Sequence, residues 1–245
     1  MKSGRYQKRF YRDLVRARDL HLTHIMDRES DLQVLTNKLL ERHFLEQKLK
    51  TYRLEIENYI NRDHMFLVSL KPIEVELHAP LIVKEMALQA RKANVGPMAA
   101  VAGSIAEFLG REILKNGYKD VIVENGGDIF LKTRKTRNIG IYAGRSKLWN
   151  KLKLKIKPSE TPLGICASSG TIGHSLSFGI ADCVIVLSKH AGLADAVATA
   201  AANQVQSKDD LQKAIDFAKS IRGITGVAVI LKNNLVSWGK IEFTS

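Results

Sequence analysis

The first part of the chain shows a strand-like apolar pattern followed by a helical one. The stretch "RESDLQVLT", residues 28–36, alternates apolar and polar positions and predicts a strand. Residues 37–60 repeat apolar side chains on one side of a helix, which predicts a single long amphipathic helix. These side chains are Leu40, Phe44, Leu45, Leu49, Tyr52, Ile56 and Tyr59.

Two more helices are predicted in the next part of the chain. Residues 80–96 begin with Pro80, which suits a first helical turn, and end with Gly96, a typical C-terminal cap. The next helix is predicted to start at Pro97 and to end near Gly117.

The remaining pattern is dominated by strands. Lysines and apolar residues alternate over residues 151–158, as in a strand with one buried face. The last run predicts a hairpin that turns at Asn233 and Asn234. Strands are predicted at 121–125, 128–133, 138–144, 151–158 and 181–188, helices at 192–205 and 209–223, and the hairpin at 226–243. Because strands follow strands, we expect an α+β domain with a largely antiparallel sheet covered by helices.

Composition indicates one domain. The 245 residues are 45% hydrophobic and contain no low-complexity linker. We therefore expect a basic N-terminal arm at residues 1–27 and a single domain at residues 28–245. The arm lacks the apolar block of a signal peptide, and the most apolar stretch, 95–110, is too short to span a bilayer. Two cysteines, Cys166 and Cys183, fit a reducing compartment, so a cytoplasmic protein is expected.

The net charge of +13 raises the question of nucleic-acid binding. The charge is spread over the N-terminal arm, "KTRKTR" and "KLKLKIK", and no motif that reads bases accompanies it. This distribution favours a solvated basic surface and leaves weak nucleic-acid binding as an alternative.

The stretch "ENGGDI" permits two interpretations. Gly126 and Gly127 can adopt positive φ and direct backbone amides toward a phosphate or ribityl chain, with Glu124 and Asp128 on either side. The same residues are common in a plain hairpin turn, and these residue types alone favour the turn.

The stretch "ADAVAT" places two oxygen donors four residues apart on a predicted helix. Asp195 and Thr199 would then lie on one face, close enough to bind one hard cation such as magnesium. The structural alternative is that Asp195 interacts with the dipole in a first helical turn, while Thr199 bonds back to the preceding turn.

Small polar residues are concentrated just before the strand at 181–188. The segment lacks the G-x-S-x-G elbow of a hydrolase, so a catalytic triad is not expected. His174 alone is more typical of a structural histidine, and Cys166 would be reactive only if it were not buried in apolar surroundings. The residues suited to donate hydrogen bonds to an anionic ligand are Ser168, Ser169, Gly170 and Thr171.

Four stretches taken in order resemble an ApbE-like protein family of bacteria and archaea. They are "VGPMAAVAGSIAE", "ENGGDI", "SSGTIGHSLSFGIAD" and "LADAVATAAANQV". The similarity covers nearly the whole chain and implies an ApbE-like, T-fold-like α+β domain. This family looks like a cytoplasmic branch of the ApbE superfamily, whose better-known members are magnesium-dependent transferases that split FAD and attach FMN to a threonine of a target protein.

The resemblance implies specific site residues. The superfamily's "DALAT" metal motif matches "DAVAT", which implies that Asp195 and Thr199 bind Mg2+ with a backbone carbonyl near Ala99. The implied flavin or nucleotide pocket is lined by Gly126, Gly127, Asp128, Ser168, Ser169 and Gly170.

The chain also departs from the transferases. Their "DxGxxAKG" motif carries an acid and a lysine where this chain has Asn94 and Ala100, and their "HxxDPxxG" loop is missing. We therefore expect binding of FAD or a related diphosphate with Mg2+, and doubt efficient FMN transfer to a protein acceptor. An alternative implied by the wider family is an accessory role in sulfur mobilisation into homocysteine, which would involve Cys166.

Overall fold

The computed structural model describes residue 17 and residues 19–140, 152–169 and 179–244. Within these ranges the helices lie between and after the strands, as the sequence predicts. They are α1 (Arg42–Arg62), α2 (Met65–Val68), α3 (Leu81–Lys92), α4 (Val101–Lys115), α5 (Ala191–Gln204) and α6 (Leu211–Ser220). None of the described helices is long and apolar enough to cross a membrane.

The strands of the described residues form two antiparallel sheets. They are β1 (His21–Asp27), β2 (Ser30–Thr36), β3 (Val121–Asn125), β4 (Asp128–Lys132), β5 (Arg137–Gly140), β6 (Lys153–Ile156), β7 (Leu163–Ser168), β8 (Cys183–Ser188), β9 (Ile224–Leu231), β10 (Asn234–Gly239) and β11 (Phe243–Thr244). The large sheet has eight strands in the order β1-β2-β3-β4-β7-β8-β9-β10, and the small sheet has the order β11-β6-β5. The predicted α+β fold with an antiparallel sheet is confirmed.

The large sheet has a core on each face. Its odd-numbered residues in β3, such as Val121 and Val123, pack against the helices. Ile122 belongs to the opposite core, together with Leu154 and Ile156 of β6. Alternation along each strand therefore divides the molecule into a helix layer, a central sheet and a small covering sheet. The one-sided pattern predicted for residues 153–156 is confirmed, since their two apolar residues are buried and their two lysines are partly exposed.

The end of α3 differs from the prediction. Instead of continuing to Gly96, the helix ends at Lys92, and Asn94 adopts a left-handed φ of 55°. Its amide donates to the Arg91 carbonyl (3.0 Å), and the amide of Val95 donates to that of Ala90 (3.1 Å). These two bonds form a Schellman cap, in which asparagine is a common alternative to glycine. Gly96 is required for another reason: a Cβ there would lie 1.7 Å from the Ser69 carbonyl oxygen.

Other boundaries also require correction. The C-terminal hairpin turns at Lys232 and Asn233, because Asn234 already pairs with Leu231. The long helix begins at Arg42 rather than at residue 37, and the helix predicted from Pro97 starts as a 3-10 turn (Pro97–Ala100) before α4. The sequence pattern also missed three strands: β1 within the expected N-terminal arm, β7 in the middle of the large sheet, and the short β11 beside β6. Residues 141–144 of a predicted strand lie outside the described residues.

Candidate functional site

Polar side chains collect where the ends of three strands meet the helix layer. Asn125 pairs with Asp128 across the hairpin that joins β3 to β4, and Asn125 Nδ2 donates to the Ala102 carbonyl (3.2 Å). Ile129 pairs with Ile165, which places Asp128 beside Cys166 on the next strand. Ser168 lies on the same face as Cys166 because side chains alternate along a strand. We call the group Asn125, Asp128, Cys166, Ser168 and Asp195 the polar junction.

Asp195 reaches the polar junction from α5. Its Oδ2 accepts a hydrogen bond from the Gly103 amide (2.9 Å) in the first turn of α4. Burial raises the pKa of Asp195 to about 7, although the amides of Gly103 and Ala102 oppose this shift. The alternative interpretation, in which Asp195 interacts with the dipole in the first turn of its own helix, requires a correction. The helix begins at Ala191, so Asp195 lies beyond its first turn and instead caps a neighbouring helix.

Asp128 is a second carboxylate at the same place. It is 7% exposed, and its Oδ1 accepts a hydrogen bond from the Ala167 amide (3.3 Å). Burial, followed by the nearby charge of Asp195, raises the pKa of Asp128 well above its ordinary value. The fold thus brings two carboxylates together in a poorly solvated environment, where two uncompensated negative charges are costly.

Cys166 is a packed thiol. It is fully buried, and its Sγ donates to the Ala191 carbonyl (3.3 Å). Burial and the carboxylates of Asp128 and Asp195 raise its pKa well above the ordinary value, so the nucleophilic thiolate is not formed at neutral pH. The burial supports the inert interpretation of this cysteine and gives no support to a sulfur-transfer role.

The glycine pair forms a tight hairpin turn. Gly126 has a φ of 67° and Gly127 a φ of 105°, and the two residues join β3 to β4 directly. The Gly127 amide donates to Glu124 Oε1 (2.8 Å), so this amide already has an acceptor within the turn. The hairpin interpretation of the stretch is confirmed. Its effect on the polar junction is to place Asp128 at the start of β4.

The structure describes some of the other predicted site residues but not all of them. Thr199 is 9% exposed and lies four residues after Asp195 on α5. Ala99 lies in the 3-10 turn before α4, and this turn packs against α5. Ser168 is 6% exposed, and its Oγ has no hydrogen-bond partner among the described residues. Ser169 is described, whereas Gly170, Thr171 and His174 lie outside the described residues.

The sequence pattern did not single out Gly103 and Glu107, two residues of α4 that contact α5. A Cβ at Gly103 would lie 2.4 Å from the Ala191 carbonyl oxygen and 2.9 Å from Asp195 Cβ. Glu107, one turn later, accepts a hydrogen bond from the Ala191 amide through Oε2 (2.6 Å). The signal for Gly103 was its place in a run of small residues, which predicts close helix packing. Glu107 carried no such signal, because its acceptor role depends on a helix 84 residues away.

The donor set fits a hard cation. Asp195 and Thr199 offer oxygen atoms of the kind that magnesium prefers, and magnesium commonly completes its shell with water and ligand phosphates. Over residues 19–140, 152–169 and 179–244, no group of three or more histidine, cysteine or acidic side chains has the arrangement of a metal site. A site here would therefore rely on few protein ligands and on the oxygens of a bound diphosphate.

Comparisons with known proteins agree with the fold and the motifs. A family model described as AbpE bacteria matches residues 12–242. A UPF0280 protein of Methanocaldococcus jannaschii is 44% identical over 195 residues, covering 77% of this chain and 78% of the relative. A UPF0280 protein of Methanococcus aeolicus is 42% identical over 221 residues, covering 89% and 88%.

Solved structures share the fold at low identity. The flavin transferase ApbE from Vibrio cholerae matches with a TM-score of 0.60 and 15% identity, covering 90% of this chain and 97% of that one. The apo flavinyl transferase ApbE of Pseudomonas stutzeri matches with a TM-score of 0.59 and 11% identity, covering 90% and 94%. The ApbE-like resemblance read from the sequence is thus confirmed, and the chain belongs to the family described as AbpE bacteria.

Proposed function

We propose that this chain binds FAD or a related nucleotide diphosphate together with Mg2+ at the polar junction. The observation that carries the proposal is the pair of carboxylates, Asp128 and Asp195, whose pKa values are both raised in one poorly solvated place. A divalent cation offsets that charge and attracts a diphosphate. The flavin transferases that share the fold support a flavin as the organic part of the ligand.

The chain's own groups have separate tasks in this proposal. The Gly103 amide holds Oδ2 of Asp195, so that the carboxylate is oriented before a ligand arrives. Thr199 adds a hydroxyl from the same helix face, and the Ala99 carbonyl completes the protein contribution to the cation. When bound, Mg2+ supplies neutralisation of the diphosphate charge. The hydroxyl of Ser168 has no hydrogen-bond partner within the described part of the chain, and we propose that it donates to the ligand.

We propose that the chain binds FAD but transfers FMN poorly. Ala100 is fully buried in the core, where the transferase motif has a lysine, so no cation is supplied from that position. Asn94 occupies the cap of α3 and is exposed, so no carboxylate is supplied from there either. Transfer requires a diphosphate, a metal and an activated hydroxyl to be held together, and positioning accounts for several kcal/mol of the barrier in such reactions.

The binding proposal is tested by thermal unfolding and calorimetric titration with FAD, with Mg2+, and with both. At about 100 times the Kd, a ligand that binds only the folded state adds about 2.7 kcal/mol, or roughly 5–10 °C for a domain of this size. We expect this increment for wild type and for Thr199→Ser, which keeps the hydroxyl. Thr199→Val and Asp195→Asn should lose the Mg2+-dependent part. If Thr199→Ser and Thr199→Val show equal Mg2+-dependent stabilisation, the Thr199 hydroxyl does not bind the cation.

The transfer activity is tested separately by mass spectrometry. The protein is incubated with FAD, Mg2+ and an acceptor protein bearing a flavinylation motif, beside an ApbE transferase as positive control. We expect little or no covalent FMN on the acceptor. Stoichiometric addition that disappears in Asp195→Asn would show that the lysine and acid of the transferase motif are dispensable here.

A further inference from the structure

Helices α4 and α5 cap each other at their N-terminal ends. The carboxylate of Asp195 from α5 accepts the Gly103 amide of α4 (2.9 Å), and the carboxylate of Glu107 from α4 accepts the Ala191 amide of α5 (2.6 Å). The first amides of a helix have no partner within it, so each carboxylate satisfies an amide that would otherwise remain unpaired. Each helix therefore supplies the cap that the other requires.

The two caps are closely spaced. Gly103 precedes Glu107 by four residues on α4, and Ala191 precedes Asp195 by four residues on α5, so each helix has its capped amide and its capping carboxylate one turn apart. A Cβ at Gly103 would collide with the Ala191 carbonyl oxygen, and a Cβ at Gly192 would lie 2.5 Å from Ser104 Oγ. With so little space between the helices, a shift of Ala191 displaces Asp195 as well.

Both oxygens of Glu107 are already occupied. Oε2 receives the Ala191 amide, while Oε1 receives Arg111 Nη2 (2.6 Å) and Nε (2.9 Å). His190 Nδ1 lies 3.3 Å from the same Oε1, and the side chain of Glu107 is 5% exposed. Burial would raise the pKa of Glu107, but the nearby imidazole of His190 and the hydrogen bonds from Arg111 hold it below its ordinary value, so the carboxylate is ionised. Because both oxygens already accept hydrogen bonds and the side chain is buried, Glu107 is poorly placed to bind a ligand directly.

We propose that Glu107 is a positioning residue: by capping α5 at Ala191, it fixes where the carboxylate of Asp195 stands. Its effect on the cation and diphosphate rests on the proposed function, whereas its effect on Asp195 does not. An acidic residue inside the motif "AGSIAE" could be mistaken for a ligand or a catalytic group. The geometry gives it the task of holding the helix that carries the ligand.

The first test uses the protein without ligand. Gly103 lies in the first turn of α4, so protection of its amide against hydrogen exchange reports the contact with Asp195. In Glu107→Gln, the side-chain oxygen still accepts from Ala191, but its amide group faces Arg111 and His190, which weakens the cap. We expect exchange at Gly103 to accelerate by about tenfold or more, and to accelerate further in Glu107→Ala.

The control separates this effect from a general effect on α4. Glu112→Gln makes the same chemical change on the same helix, at a side chain that pairs with Lys48 and Lys115 instead of α5. We expect wild-type exchange at Gly103 in this variant. Unchanged exchange in Glu107→Gln and Glu107→Ala, or equal acceleration in Glu112→Gln, would overturn the positioning role. A wild type that fails to bind FAD with Mg2+ would sink the proposed function and leave this result standing.

The second test measures binding below the unfolding temperature. We expect Glu107→Gln to raise the Mg2+ concentration required for half-maximal FAD binding by about tenfold, a loss of about 1.4 kcal/mol. Flavin binding without Mg2+ should stay unchanged. A purely structural role would lower the unfolding temperature without shifting the Mg2+ requirement. Equal weakening of FAD binding with and without Mg2+ would also contradict the positioning role.

Discussion

At the scale of single residues, position 94 differs from the transferase motif, which has an acid there, but its backbone conformation still restricts which residues fit. Its φ of 55° and its place in the cap of α3 favour residues that tolerate the left-handed region, which are glycine, asparagine and aspartate. The substitution that removes the acid of the transferase motif therefore still satisfies the local backbone.

Asn94→Ala is expected to destabilise the protein by about 1 kcal/mol, because the left-handed conformation is sterically unfavourable for alanine. Asn94→Gly should be as stable as wild type or slightly more stable, since glycine has no Cβ and adopts this conformation readily. Chemical denaturation of the three proteins measures the difference. If alanine is tolerated as well as glycine, the left-handed cap is not the constraint at this position.

His190 provides a pH-dependent contact at the same scale. The close contact of its Nδ1 with Glu107 Oε1 (3.3 Å) raises the pKa of His190, with a smaller contribution from Glu85 of α3, while burial and Arg111 oppose the shift. A raised pKa in the folded state stabilises the protein below the unfolded value of 6.5, and this stabilisation is lost as pH rises through the folded pKa.

His190→Gln should therefore cost about 0.5 kcal/mol at acidic pH and much less in alkaline solution, a small effect because the side chain is 46% exposed. Urea denaturation at about pH 5.5 and pH 9 measures it, with the exposed His78→Gln as the matched control. A cost that is the same at both pH values would show that the ion pair with Glu107 does not contribute.

At the scale of elements, the close approach of α4 and α5 depends on glycine at two positions with different neighbours. Gly103→Ala drives a methyl group into the Ala191 carbonyl, which is backbone and cannot turn aside. Gly192→Ala meets the Ser104 hydroxyl, which can rotate. We expect Gly103→Ala to cost about 1–3 kcal/mol and Gly192→Ala clearly less, as measured by denaturation. The reverse order would mean that the helices adjust their separation freely.

Sequence patterning predicted most elements, because amphipathic helices and alternating strands show their buried face in the chain itself. It missed β7, whose residues 163–168 are rich in small side chains and carry no alternation, although the sheet places them centrally. One of the two interpretations that it left open for Asp195 was an interaction with the dipole of its own helix, whereas the observed backbone contact is with Gly103, 92 residues away. Long-range caps leave no local signal, and this is why the cap partners Gly103 and Glu107 emerged only from the fold. Within the polar junction, Asn125 was the residue that the sequence had not singled out.

At the scale of the whole molecule, the sequence carries a net charge of +13. Many described arginines are held by acids, as Arg53 is by Glu29 and Glu57, and Arg137 by Asp19. We expect only weak, sequence-independent nucleic-acid binding that is lost by roughly 200 mM salt, as measured by fluorescence anisotropy with two unrelated duplexes. A preference between the duplexes that persists at this salt concentration would contradict the expectation.

The burial of both thiols gives the molecule an internal reporter of its own opening. Cys166 and Cys183 are inaccessible, and burial raises the pKa of Cys183 to about 12 and that of Cys166 well above its ordinary value. An alkylating reagent should therefore modify the native protein only as fast as the chain exposes these strands. Because Cys166 donates to Ala191 at the start of α5, a bound ligand that holds α5 should slow its labelling more than that of Cys183. The ratio of the two alkylation rates, read by peptide mass spectrometry, would distinguish local tightening around a ligand from global stabilisation without any introduced label.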